Sequence, residues 1–193
     1  MEKVFQETEY DDEEFINISL DEQTLSSISF DYCTFNNCSF NKTIFKDCRF
    51  TECTFKYCNL SLINIKTSIF NDIKVLNSKA IGVNWAPIGI PFEIKFEYTD
   101  ISMSSFYSLD LRHIQIINSK VNDVDFTRTN LEKANFKKSD LLGSSFSDTN
   151  LKNADLSQAI NYTINPNRNI LKGTKVSLPE ASSFLTYFDL KII

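Results

Sequence analysis

The sequence predicts a solenoid, a chain wound into stacked coils around one aromatic slot that is refilled many times. Three observations carry this reading. Phe30, Phe35, Phe40, Phe45, Phe50 and Phe55 fall at intervals of five, with Leu60 in step. Two places before each stands a smaller residue: Ile28, Cys33, Cys38, Thr43, Cys48, Cys53 and Cys58, a column that holds all five cysteines. Composition agrees, with 17 Phe against 2 Met and 1 Trp. An α-helix turns about 100° per residue, so a five-residue step leaves successive rings about 140° apart and on no common face. A straight strand would send alternate rings to opposite faces. Every ring points inward only if the chain bends once per repeat, and self-similarity at so short a period signals a solenoid.

Taken in order, residues 1–22 hold nine acids and one base, a charge of −8 in a chain that totals −5, so residues 23–193 carry +3. Lys3 and Glu13 fall in inward small slots, where a charge is costly. The coil is therefore expected to begin near Phe15, with 1–14 as an acidic arm or cap. From Phe15 to Ala80 the phase never slips, which defines a first segment over 15–80. Residues 81–95, "IGVNWAPIGIPFEIK", hold the only Trp, two of the four Gly and two of the four Pro. The frame moves by one residue across them, so this stretch is expected to leave the coil as an inserted loop. Trp85, Pro87, Ile88 and Phe92 then either plug the joint or face a partner.

A second segment over 96–160 resumes the period, with Phe126, Leu131, Phe136, Leu141 and Phe146 as its inward residues. Its small column includes the oversized Leu109, Ile114 and Val124, so a bulge near the joint is expected. Residues 161–178 are irregular around Pro166 and regain the pattern at Leu171 and Val176. Over 179–193 a C-terminal α-helix is expected. Ser177 and Glu180 have the spacing of a capping box, Pro179 lies in the first turn, and Ala181, Phe184, Leu185 and Phe188 form an apolar stripe. Laid across the last coil, that helix hides open strand edges.

The pattern small-polar-Phe/Leu-polar-polar, as in "CTFNN CSFNK" and "ANFKK SDLLG SSFSD TNLKN ADLSQ", resembles the pentapeptide-repeat proteins. The resemblance implies an all-β fold: a right-handed quadrilateral parallel β-helix, four pentads to a coil, closed by the C-terminal helix. The terminal Leu171, Gly173, Val176, Glu180, Ala181 and Phe184 resemble the end of the Qnr-type, quinolone-resistance branch. There the helix joins two rods C-terminus to C-terminus. By that resemblance Phe184, Leu185 and Phe188 are expected to make a homodimer, and DNA gyrase or topoisomerase IV is the implied partner, bound by mimicry of DNA.

Catalytic chemistry finds little support in the residues. One His, no glycine-rich phosphate loop and no nucleophile motif leave no acid–base or covalent machinery, so no enzyme and no cofactor are expected. Asp125, Asn130, Asn135 and Asp140 are better read as makers of corner hydrogen bonds than as paired carboxylates. No metal is expected either, because Cys-x4-Cys along a bending coil aims its ligands at different walls. The cysteines read as buried thiols of a reducing compartment. The acidic start lacks an apolar run, and no stretch is long enough to span a membrane, so a cytoplasmic location is expected.

What remains is surface. Counting by twenty groups Asp31, Glu52 and Asp72 on one acidic wall beside Tyr32, and Arg112, Lys133 and Lys152 on a basic one relieved by Glu132. Two functional classes stay open: a topoisomerase-binding DNA mimic, and a structural interaction scaffold with another protein partner. Direct nucleic-acid binding ranks below both, because the chain is negative overall and no base-stacking surface is evident.

Overall fold

The structure, a computed structural model, describes residues 5–86 and 93–188. It is a right-handed, four-sided parallel β-helix in which each pentad forms one face. Face one runs through the strands Glu9–Asp11, Ser29–Asp31, Arg49–Thr51 and Ile69–Asn71, with Tyr10 opposite Phe30, then Phe50, then Phe70. Face two runs from Glu14–Ile16 to Gln115–Ile117 as six parallel strands. Faces three and four are built largely of single bridges, such as Ser19 to Ser39 to Asn59 and Asn84 to Ser105. Three-residue strands suffice because each face needs only one inward residue between two bends.

The rings fill the interior. Phe30, Phe35, Phe40, Phe45, Phe50 and Phe55 are all buried, as are Phe126, Leu131, Phe136, Leu141 and Phe146. Rings one coil apart lie nearly parallel, Phe30 over Phe50 at 5.0 Å and Phe50 over Phe70 at 4.7 Å between centroids, while rings on adjacent faces meet edge to face, as Phe30 and Phe35, or tilted, as Phe50 and Phe55. Stacked and edge-to-face pairs are favoured arrangements of aromatic quadrupoles. The small column has its own bond: away from the joint most of its thiols and hydroxyls donate to a carbonyl 23 residues earlier, Cys53 Sγ to Phe30 O at 3.3 Å and Thr43 Oγ1 to Leu20 O at 2.7 Å. Thr43→Cys is accordingly expected to cost under about 1 kcal/mol, since a thiol keeps the bond. Thr43→Leu should cost about 1–3 kcal/mol by overpacking a closed slot. Chemical denaturation of the two variants checks the contrast.

The bends use residues two places after each inward one, held at positive φ: Asn37 at 54°, Tyr57 at 55°, Lys133 at 59°. Non-glycine residues pay a steric cost there. It is offset because the αL geometry turns each N–H to the next coil, as Asn37 N–H to Lys56 O at 2.9 Å and Lys133 N–H to Lys152 O at 2.9 Å. At Gly143 the φ is 71°, and a Cβ added there would displace the exposed Asp123 carboxylate, so glycine relieves both the backbone and that close approach.

Three sequence expectations change. The coil begins before Phe15: Tyr10 stacks on Phe30 at 5.4 Å, and Phe5 is buried against Tyr10, Phe15 and Phe30. Glu13 escapes the expected penalty because its slot is at the end of the rod and the carboxylate is exposed. The inserted stretch is shorter than 81–95. Residues 81–86 stay in the coil, with Asn84 bridged to Ser105 and Trp85 buried in the aromatic slot of face four, stacked on Phe106 at 6.0 Å. The register changes from twenty to twenty-one residues across the joint, as between Asn84 and Ser105, so one extra residue is absorbed between Trp85 and Ile94. Leu109, partly buried, and Ile114 and Val124, buried, occupy their small slots.

The last coil is irregular yet keeps count, with Ile170 bridged to Asn150 and Lys175 to Asp155. Tyr162 and Ile164 fill its interior. The expected C-terminal α-helix is a 3₁₀-helix, Glu180–Phe188. The capping box does not form as drawn: Ser177 Oγ accepts the Gln158 N–H at 3.0 Å, and the first turn closes through Ser182 N–H to Pro179 O. Among the described residues no helix is long and apolar enough to cross a membrane.

Candidate functional site

The residues that could carry chemistry are dispersed. Asp125 and Asn135 each turn Oδ1 onto the N–H two residues on, at 2.9 and 3.0 Å, and Asn130 and Asp140 do the same at 3.3 and 3.2 Å. Their oxygens are engaged in the bends. His113 sits exposed at a bend with φ 67°. All five cysteines are free and buried. Burial pushes the Cys53 thiol up to about 12. The neighbouring Cys58 thiol holds the Cys38 thiol below the usual thiol range, and the same neighbour, with burial, pushes Cys58 up. Among the described residues no three His, Cys, Asp or Glu side chains gather to hold a metal.

The charged surface is better organised than counting by twenty suggests. Asp31 does not stack with Glu52 and Asp72. It lies on the strand column of face one, over Asp11 and beside Thr51 and Asn71. Glu52 and Asp72 lie one residue on, in the bend column that begins with Asp12 and Tyr32, at φ values of 50–55°. The acidic feature is therefore a double column along the edge between faces one and two. It includes Asp11 and Asp12, which sequence reasoning placed in an N-terminal arm. Tyr10 and Phe15 being in phase was the signal that could have found them.

Within this edge the Tyr32 hydroxyl bonds to the Glu52 carboxylate, which raises the tyrosine pKa, as do the nearby charges of Asp11 and Asp31. Beyond the joint the same edge changes sign. Leu111 and Leu131 continue face one, so Arg112 and Lys152 fall on the strand column and Lys133 on the bend column. That basic half is partly neutralised: Arg112 meets Asp110 at 2.9 Å and Lys152 meets Glu132 at 3.1 Å. Such exposed pairs contribute little to stability. Their effect is on the field, leaving one edge acidic over the first coils and mildly basic over the later ones.

Of the other expected partner residues, Trp85 is buried in the core. Pro87, Ile88 and Phe92 lie outside the described residues. At the C-terminal end Phe184 is half-buried over Tyr162, at 5.8 Å between rings, whereas Leu185 and Phe188 are exposed. Leu178 and Ile170, also in the C-terminal part of the chain, are 82% and 55% exposed.

Two family descriptions match the chain: Pentapeptide repeats (9 copies) over residues 15–62 and Pentapeptide repeats (8 copies) over 122–158. No curated protein matches it by sequence. Among solved structures it is similar to full-length QnrB1, a plasmid-mediated fluoroquinolone resistance protein, at 12% identity and a TM-score of 0.50, covering 92% of this chain and 100% of that one. It is also similar to HetL, which is involved in heterocyst differentiation regulation in the cyanobacterium Nostoc sp. strain PCC 7120. The identity is 15% and the TM-score 0.50, over 88% of this chain and 86% of that one. At these identities the likeness concerns the fold.

Proposed function

The chain is a pentapeptide-repeat protein, and from that premise we propose that it is a non-enzymatic, DNA-mimicking ligand of a type II topoisomerase, DNA gyrase or topoisomerase IV, acting in the cytoplasm. The carrying observation is the double acidic column of Asp11, Asp12, Asp31, Glu52 and Asp72 on a regularly stepped edge. Its rungs repeat at about 4.8 Å, the same order as the roughly 3.4 Å between charges along one DNA strand. A rigid rod holds those charges without an ordering cost at binding. The mimicry is confined to the first coils, because the same edge is basic after the joint. A homodimer through the C-terminal end would set the two acidic stretches at its outer ends, with protection from quinolone-type inhibitors as the consequence of occupying the enzyme's DNA path.

Binding of this kind rests on many weak charge contacts and should weaken steeply with salt. The test is a pull-down and supercoiling assay with purified gyrase at low and high salt, with and without a fluoroquinolone. We expect binding at low salt that is lost at high salt. Asp31→Asn, Glu52→Gln and Asp72→Asn together are expected to weaken it about tenfold or more, a loss of about 1.4 kcal/mol. Absence of binding at low salt by folded protein would leave the scaffold reading, with a different partner, in its place.

A further inference from the structure

A second edge, between faces two and three, carries a different regularity. Its bend column reads Asn37, Tyr57, Asn77, Tyr98, Asn118 on five successive coils, as the pairing of the preceding strand residues fixes. Over these five coils, between Asn17 below and Lys138 above, the two tyrosines stand two coils apart with asparagine on either side of each. The column forms one wall of a groove of about 640 Å³, whose far side carries Asn59, Lys79, Asp100 and Lys120. Tyr57 and Tyr98 are 55% and 58% exposed. Large aromatic rings set at a fixed interval along a groove are the usual anchors of a repetitive ligand.

We propose that this groove binds a proline-rich peptide in the polyproline II conformation, with prolines three residues apart seated on Tyr57 and Tyr98. The spacing selects that ligand. Two coils separate the rings by about 9.6 Å, at about 4.8 Å per rung. One turn of a polyproline II helix, three residues at about 3.1 Å, advances about 9.3 Å. Such a peptide has no internal hydrogen bonds, so its carbonyls are free. The Asn77 carboxamide lies between the two rings, and a carboxamide can donate to those carbonyls. Aromatic-lined grooves recognise such segments at low entropic cost, because the ligand is already extended.

Charge and ring access separate this occupant from others. The charged lining residues are Lys79, Asp100 and Lys120, and the last two pair at 3.7 Å, so the groove has one more cation than anion. A single-stranded nucleic acid would need a row of unpaired cations. A stacked glycan would take one whole face of each ring, and on Tyr57 the Lys56 ammonium, 5.3 Å from the ring centre, competes for one of the two. A proline, gripping a ring edge and one face, asks for less.

The column supplies its own control substitution. Asparagine already occupies positions 37, 77 and 118 at φ values of 50–54°, so Tyr57→Asn and Tyr98→Asn remove the rings without disturbing the bend. The experiment is a fluorescence-anisotropy titration of fluorescein-labelled decaproline, with a glycine–serine decapeptide as the comparison and circular dichroism to confirm folding of each variant. We expect saturable binding of decaproline, none of the glycine–serine peptide, and a loss of about tenfold for each ring removed. No saturable decaproline binding by the wild-type rod, or an equal affinity in the double variant, would overturn the assignment. Saturable cellohexaose binding that the double variant loses, with none for decaproline, would overturn it in favour of a glycan. The acidic edge is untouched by both substitutions, so failure here and failure of topoisomerase binding are read separately.

Discussion

Phe50→Ala is expected to lower the stability of the rod by about 3–5 kcal/mol, the upper range for removing a buried ring. The residue is wholly buried. Its ring stacks on Phe30 on one side and Phe70 on the other and meets Phe45 edge-on at 5.1 Å. Removal leaves a void between coils that cannot collapse, because the pairing of Arg49–Thr51 with strands on both sides fixes the coil spacing. Phe5→Ala should cost less, because that ring lies at the open end of the stack, where the chain can close over it. Urea unfolding followed by circular dichroism reads both. A loss under about 1 kcal/mol at Phe50 would mean that the aromatic column is not what holds the coils together.

The aromatic column was legible because one geometric fact, an inward slot once per bend, repeats without interruption. Burial follows from it directly, whereas the number of faces, and with it which rings stack, came from the family resemblance. What was not legible lies where the repeat meets an end or a defect. Glu13 looked inadmissible inward, but the rule of neutral small slots holds only between two coils. Trp85 looked like a loop residue by rarity and by its glycine and proline neighbours. Yet the slot it fills on face four follows Ile65, a smaller residue, and the indole lies between that position and Phe106.

The acidic edge was misassembled for a related reason. Counting by twenty finds stacked residues but treats positions one apart as interchangeable. In the coil, Asp31 belongs to a strand and Glu52 to a bend, two columns with different side-chain directions. The C-terminal helix shows the limit of local signals. The Ser177–Glu180 spacing suits a capping box, but the serine hydroxyl is taken by the Gln158 N–H, a bend donor of the kind that in the coils below reaches a carbonyl 19 residues on. Tertiary demand for that acceptor overrides the cap, and the segment closes as a 3₁₀-helix instead.

Leu185→Asp with Phe188→Asp is the second large effect expected, on assembly rather than on folding. Leu178, Leu185 and Phe188 are all exposed in the C-terminal part of the chain, while Phe184 rests half-buried on Tyr162. That division splits the stripe: Phe184 packs on its own rod, and in the proposed dimer Leu185 and Phe188 are the residues that would meet a second copy. A two-fold contact would place the same apolar residues on both sides, so each rod covers the other's with a self-complementary patch. The double aspartate would then bring four carboxylates into one desolvated contact, two from each rod. Burying unpaired charge costs at least several kcal/mol, which is more than 100-fold in dimer Kd. Light scattering at micromolar concentration should show a dimer for the wild type and a monomer for the variant, with melting temperatures close together. Phe184→Asp should instead lower the melting temperature, because it places a charge on the buried face of the cap. A wild-type monomer, or a dimer that survives both aspartates, would assign the exposed residues to some other contact and leave the rod without its two-fold axis.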